Sequence, residues 1–523
     1  MIFLSSRAKN TAGMTCSGRH EGKQLCKLAL ILAVFLFNAC IKDLTELNVN
    51  PDQPLSTDPD YIFSYVLQQG TGNYNSDVSL EQWGLMNWVM YLASREGVEE
   101  GREYPMPSAK DDFWREQYTN TLSNAQIIVN MAADDPDMVN MKAAARIWQV
   151  YIFSMLTDLW GNIPYTEALK GMTGLNFSPA YDRQSDIYEA MIIQLQEAVS
   201  ALDAGQLFFD REYDLIYNGN IHHWKSFGNS LMLRLATRVN KVDFDFYASV
   251  VQGLQNQPLI SGQEEAAIFP FNAERKNHLW ETMYRNESTI QNNPSKFFVD
   301  MLVERNDPRV SVFFEEAPLS FLPFIPKYKG VPNLLPNTDT YWDNYNVNES
   351  LGIPGEWGDI SRIGQWFLND NTPGVIMNYS EVCFLLAEAA LHGLWDDDPD
   401  QLMKKGVEAN IRFFNLYGNT ENHIPESEIS IFVLNLPDAT LEEIIIQKYI
   451  SFGFEQGYEA YAEYRRTGYP VLTKYDGSGI NKSIFPLRLP YPNSEYTLNR
   501  NNYDEAVGNQ GPDNEFTPIW WIP

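Results

Sequence analysis

The chain has 523 residues, 44% of them apolar and 13% aromatic, enough for one large core or for two to three average domains. Its 68 acidic against 38 basic residues give a formal net charge of −30, a surface that repels nucleic-acid phosphate and anionic lipid headgroups. Four cysteines and six histidines, with no HExxH and no paired CxxC, leave no structural zinc site and, beyond Cys40, only Cys383.

At the N-terminus Arg19, Lys23 and Lys27 precede ten apolar residues, Leu28 to Phe37, and then Asn38, Ala39 and Cys40. A bilayer crossing needs about 20 apolar residues. A basic region, a short apolar run and a small residue instead predict a secretory signal over 1–39, with Met14 an alternative start. Cys40, directly after Ala39, makes the segment similar to a bacterial lipoprotein signal, whose cysteine is acylated. The alternative is an ordinary signal with a chance cysteine. Without residues 1–39 the chain carries 33 basic against 67 acidic residues, a net of −34. Residues 40–58 are polar and broken by Pro51 and Pro54, which suits a tether.

Residues 59–71 and 79–93 read as helices around a Gly/Asn-rich turn at 70–76. A long amphipathic helix over 111–133 ends before Asp134, Asp135 and Pro136. From Ala143 to Trp160 the chain is apolar almost all round, which predicts a buried central helix. Gly161 can take a left-handed backbone at its end, and Pro164 blocks continuation. Ile187, Met191, Leu195 and Val199 give helical spacing over 184–202. A turn over Asp214 to Asn220 leads into a helix over 223–236.

Residues 258–372 lose periodicity, and only 291–304 reads as helix. A loop stretch this long is functional or disordered, and its aromatics argue against disorder. Asn378 with Glu381, and Thr440 with Glu443, form capping-box patterns. They open helices at 378 and over 440–464, with another helix over 400–416 between them. Gly453 and Gly457 fall on one face of the 440–464 helix and predict close approach of a neighbour. The C-terminus, 485–521, is Pro-rich and aperiodic and reads as an irregular wrap. The fold class is therefore all-α, with long irregular loops.

No GxSxG, P-loop or dinucleotide fingerprint is present, and acidic pairs are too common here to mark a glycosidase. Glu381, Glu388 and His392 are spaced over three helical turns, too far for one ion, and read as capping and ion-pairing groups. Asp396 to Asp398 with Asp400 lack a calcium-loop pattern and read as a solvated turn. His222 and His223 read as structural. The residues left for ligand contact are aromatics on loops: Trp280, Tyr284, Tyr341, Trp342 and Trp357, with Tyr74 and Trp83 at the first turn. Asn286, Asn292, Asn293, Asp343 and Asn344 stand near them as polar partners. Such aromatics more often form satellite cores, but their clustering favours a pocket. No metal or cofactor is expected.

Several blocks resemble one family in the right order. They are Glu46 to Asp52; Thr157 to Tyr165 (Thr-Asp-Leu-Trp-Gly-Asn-Ile-Pro-Tyr); Asp214 to Ala236; Glu381 to Ala390; Gln447 to Pro470; and the ending from Phe485 to Trp521. All are similar to SusD/RagB-like outer-membrane nutrient-binding lipoproteins. The resemblance implies tetratricopeptide-like helix pairs as scaffold, although no ~34-residue repeat is legible in the sequence. It also implies a cell-surface outer-membrane lipoprotein anchored at a diacylated Cys40, with no catalysis. Such a protein captures glycans, or in some members peptides, and acts as a lid on a SusC-like TonB-dependent transporter barrel. The loop region shows no family motif, so the ligand stays open. A secreted all-α glycoside hydrolase and a helical-repeat adaptor that binds only protein are the alternatives. The resulting division is a signal over 1–39, a tether over 40–58 and a helical superdomain over 59–523 whose binding loops lie in 258–372.

Overall fold

The structure, a computed structural model, describes residues 58–71, 77–93, 109–133, 135–171, 176–206, 208, 211–272, 274–277, 293–333, 359–417, 423–472 and 485–522. Residues Pro59–Pro523 form one compact unit. The predicted signal, Cys40 and nearly all of the tether lie outside the described residues.

Helix α1 (Pro59–Thr71) is followed by α2, a π-helical stretch Asp77–Leu85 that runs into Met86–Trp88. Helix α3 joins Lys110–Glu116, a π-helical turn Gln117–Leu122 and Ser123–Met131. Then come α4 (Val139–Trp160), α5 (Gln184–Ala201), α6 (Ile221–Arg238) and α7 (Phe244–Leu254). Helices α8 (Lys296–Glu304) and α9 (Val310–Phe313) lie within the loop-rich region. After it come α10 (Tyr379–Leu391), α11 (Pro399–Tyr417), α12 (Glu426–Leu434), α13 (Leu441–Phe452) and α14 (Gly457–Thr467). The chain ends with α15 (Asn493–Leu498) and α16 (Arg500–Gln510). Neighbouring helices pack in pairs, α3 on α4, α4 on α5, α6 on α7 and α10 on α11, as a tetratricopeptide-like scaffold does.

The core is centred on α4. Ile147, Trp148, Val150, Ile152, Leu156 and Trp160 have no exposed surface. Each such side chain is worth about 1.5–3 kcal/mol on burial. Gly161 closes the helix at φ +85°, and a Cβ there would meet Gln510 Oε1 at 2.2 Å. The C-terminal segment docks on this helix end. Trp160 Nε1 donates to Pro490 O at 3.0 Å, Tyr491 OH to Asn162 O at 2.7 Å, and Gln510 Nε2 to Trp160 O at 2.9 Å. The wrap is thus real, but it contains the two helices α15 and α16 that its Pro-rich aperiodic sequence hides.

Strands are few and short among the described residues. β1 (Leu92–Ala93) pairs antiparallel with β3 (Asn293–Pro294). β2 (Ala267–Phe269) pairs antiparallel with β4 (Gly374–Met377), Ile268 opposite Val375, with a bulge between Ala267 and Ile268. This second ribbon ties together the two ends of the loop-rich region.

One predicted helix is broken. The 440–464 helix is two helices, because Gly453 leaves helical geometry at φ −50°, ψ 121° and Phe454 takes φ +61°. Phe454 is fully buried among Phe298, Phe313, Phe314 and Phe367, with ring centroids 5.3–6.1 Å away. Burying that ring opposes the straight helix that propensity favours. Gly453 still gives the close approach expected of it, but against the Phe298 and Phe313 rings. The predicted 79–93 helix also stops early, at Trp88, because residues 92–93 pair as strand β1.

Candidate functional site

The break between α13 and α14 brings Glu455 and Gln456 to the wall of an open cavity. Gly70 and Thr71 at the end of α1, Glu81, Gln82 and Met86 on α2, and Phe113 and Gln117 on α3 form one side. Tyr151 and Met155 on α4 and Arg234 on α6 lie behind them. Strand β4 contributes Val375 and Ile376, and Phe271 and Asn277 lie at its edge. The walls therefore mix apolar faces with a few polar groups, the usual make-up of a small-molecule site.

Glu455 is a buried carboxyl in this lining. Burial pushes its carboxyl well above the ordinary range, and the neighbouring Glu81 carboxylate adds to the push, against one backbone N–H from Val375. Its Oε1 is buried without a hydrogen-bond partner, as are Gln456 Oε1 and Gln117 Oε1. Tyr458 stacks on Phe113 with centroids 5.4 Å apart. Glu81 Oε1 accepts from Gly457 N at 2.6 Å and so fixes the start of α14.

Behind the cavity lies a buried ionic cluster. Arg234 holds both oxygens of Glu381 at 2.6–2.7 Å. Arg238 reaches Glu459, Glu463 and, at 3.2 Å, Asp158. Arg466 holds both oxygens of Glu388 at 2.6–2.8 Å and also Glu463, which Lys448 faces at 3.3 Å. Arg465 donates to Asp158 O at 2.6 Å and lies 3.8 Å over the Tyr461 ring. Five cations thus meet the five carboxylates of Asp158, Glu381, Glu388, Glu459 and Glu463, all at most 8% exposed. Burial raises the Glu463 carboxyl, but Arg466, Lys448 and Arg238 outweigh it and hold it well below the usual range. Apart from Arg238, two residues past Ala236, these residues come from separate sequence blocks, Thr157 to Tyr165, Asp214 to Ala236, Glu381 to Ala390 and Gln447 to Pro470. The blocks that carry the resemblance therefore build the scaffold's ionic core.

Glu381 and Glu388 pair and cap as expected. Glu381 N donates to Asn378 Oδ1 at 3.0 Å while the carboxylate goes to Arg234, so only half of the capping box forms. His392 packs against Phe244 and Tyr247. In the acidic turn Asp398 Oδ1 accepts from Gln401 N at 3.1 Å and caps α11. His222 Nδ1 lies 3.8 Å from Glu265 Oε1, and with His223 their ligand atoms all fall within 4.8 Å of one another, a grouping that could hold a metal ion.

Of the aromatics singled out in the sequence, Tyr74, Trp280, Tyr284, Tyr341, Trp342 and Trp357 lie outside the described residues, as do Asn286, Asn292, Asp343 and Asn344. Trp83 stands in the π-helical stretch of α2, next in the chain to cavity-lining Gln82. Asn293 is buried and donates to Ala93 O at 3.4 Å, which commits it to the β1–β3 ribbon. Sequence reading missed Glu455 and Gln456 because it ran a helix through them. Two glycines four apart, with Phe-Glu-Gln between, were the available signal for a break.

Over residues 51–492 the chain matches a SusD-like family described as starch-binding and associating with the outer membrane. Among solved structures it is similar to a chitin-binding protein, at 27% identity and a TM-score of 0.77, covering 89% of this chain and 100% of that one. It is also similar to a Bacteroidetes SusD-like protein at 24% identity and a TM-score of 0.76, with the same coverage. A SusD homologue from Bacteroides fragilis matches at 21% identity and a TM-score of 0.75, again over 89% and 100% of the two chains. No curated protein matches. With the family match spanning most of its length and the same helical scaffold beneath it, this chain belongs to the SusD-like family of outer-membrane nutrient-binding proteins.

Proposed function

We propose that this protein is a surface lipoprotein, anchored through an acylated Cys40, that captures a glycan and passes it as a lid to a SusC-like TonB-dependent barrel. It binds its ligand without turning it over. The observation that carries the reading is the open cavity, whose walls mix apolar faces with polar side chains. Saccharides supply donors in abundance and apolar C–H faces besides. Tyr74 follows cavity-lining Thr71 by three residues, Trp280 follows Asn277 by three, and Trp83 adjoins Gln82. Trp280, Trp342, Trp357, Tyr284, Tyr341, Tyr74 and Trp83 are the proposed stacking platforms. The similarity to a chitin-binding protein at 27% identity favours a saccharide over a peptide.

No helix among the described residues is long and apolar enough to cross a membrane, so the pore is assigned to a partner. The seat on that partner should bury more than about 2,000 Å² in total, as permanent complexes do. Mild-detergent extraction and affinity isolation of the acylated protein tests this. A TonB-dependent barrel should be recovered in near-equal amount. Recovery of this protein alone, with growth on its glycan unaffected by its deletion, removes the lid role.

A further inference from the structure

A group of side chains that glycan capture does not use stands at the entry to the loop-rich region. His222 and His223 lie in the first turn of α6, and Glu265 ends a single 3₁₀ turn, Gln263–Glu265, just before β2. One donor atom from each, two imidazole nitrogens and a carboxylate oxygen, fall within 4.8 Å of one another. Among the described residues no other three His, Cys, Asp or Glu side chains gather their donors so closely. The chain braces this group from both segments. Asn220 Oδ1 accepts from His223 N at 3.2 Å and caps α6. Tyr217 OH donates to Glu265 O at 3.1 Å, and its ring meets that of His223 with centroids 5.5 Å apart. Glu265 is 8% exposed, and its Oε2 accepts from Ser261 N at 3.0 Å. The other oxygen, Oε1, lies 3.8 Å from His222 Nδ1. A carboxylate oriented by its own hydrogen bond, beside an imidazole held by packing, is how metal ligands are commonly set in place.

The separations are close to those of one coordination shell. At zinc bond lengths, tetrahedral ligand atoms stand about 3.3–3.6 Å apart. Turning His222, whose side chain is 63% exposed, closes the remaining gap without disturbing the core. Donor type then selects the ion. Two imidazole nitrogens with one carboxylate suit Zn²⁺ and its transition-metal neighbours, whereas Ca²⁺ and Mg²⁺ call for shells of oxygen. The net charge of −30 draws cations to the chain in general and opposes none of this.

We propose that His222, His223 and Glu265 bind a divalent transition-metal ion, with water in the remaining position, and that the ion clasps the turn before β2 onto α6. Residue 266 alone separates Glu265 from β2, and β2 pairs with β4 at the far end of the loop-rich region. The ion therefore fixes the root of the ribbon from which those loops extend. The site stands whether or not the loops capture a glycan.

Calorimetric titration of the purified, untagged and chelator-treated protein with Zn²⁺ tests the proposal, with Ca²⁺ and Mg²⁺ in parallel. One equivalent of Zn²⁺ should bind with a Kd of about 10 µM or tighter. His222→Ala and Glu265→Gln should each weaken that binding by about tenfold or more, since even a group that only supports a metal ligand is worth that much. His423→Ala, which removes an exposed histidine elsewhere, should bind like the wild type. Because His222 is exposed, His222→Ala should melt like the wild type without metal, which separates loss of the site from loss of the fold. Zn²⁺ at about 100-fold excess over Kd should slow amide exchange over 261–269 by about tenfold or more, because opening the turn then requires releasing the ion. No Zn²⁺ binding, binding that survives His222→Ala, or tighter binding of Ca²⁺ overturns the site. Zn²⁺ bound there with exchange over 261–269 unchanged overturns the clasp.

Discussion

Glu455 and Glu463 show two opposite uses of a buried carboxyl. Glu455 sits over a cavity with a second carboxylate nearby, and its folded-state pKa stands above the unfolded value. The folded chain then holds a proton that the unfolded chain has lost, so stability falls as pH rises from about 4.3, the unfolded glutamate value. Glu455→Gln should therefore melt like the wild type at pH 4 and increasingly above it toward pH 8. A melting difference independent of pH would contradict that assignment. Glu463 is the reverse, its folded pKa depressed by Arg466, Lys448 and Arg238 once these outweigh burial. Its contribution is fully present above the unfolded value and is lost as pH falls through the folded one. Glu463→Gln leaves buried cations uncompensated and should cost about 3–5 kcal/mol in urea unfolding at pH 7. A loss under about 1 kcal/mol, the scale of an exposed pair, would show that the cluster is wetter than the packing indicates.

Among the elements, the sequence is legible where one physical term dominates. The all-apolar run of α4 can only be buried, and Gly161 with Pro164 can only end it. Asn378 and Thr440 cap α10 and α13 as their spacing predicts, through Glu381 N and Glu443 N at 3.0 and 3.1 Å. Where two terms compete, local pattern misleads. Helical propensity runs unbroken through Gly453 to Gly457, but Phe454 gains more from burial among four rings than the helix would gain from continuity. Glu455 and Gln456, which line the cavity, sit in that break, so they were illegible for the same reason the break was. The loop aromatics carry a compositional signal only; nothing periodic fixes which of them meet. A side chain at Gly453 would meet the Phe313 and Phe298 rings at 2.6 and 2.7 Å. Gly453→Ala should therefore cost about 1–3 kcal/mol by overpacking, read as a lowered urea midpoint at unchanged slope. An unchanged midpoint would mean that the rings can move aside and that the break is not tightly held.

At the scale of the whole molecule, the proposed lipid anchor at Cys40 would hold a large acidic body at a membrane surface. One acyl chain gives marginal binding and two give stable anchoring. Cys40→Ala should thus move the protein from the membrane fraction to the soluble one. Retention of the variant in the membrane without fatty-acid label would contradict the proposed anchor. The central claim, capture without chemistry, is tested most directly by titrating the purified protein against a panel of oligosaccharides and analysing each mixture for cleavage products. At least one saccharide should bind saturably with its chain length unchanged. Replacing Trp280, Trp342 and Trp357 together by alanine should weaken that binding by about 1–3 kcal/mol for each platform that stacks. Release of shorter saccharides, or full affinity in the triple variant, would contradict the account.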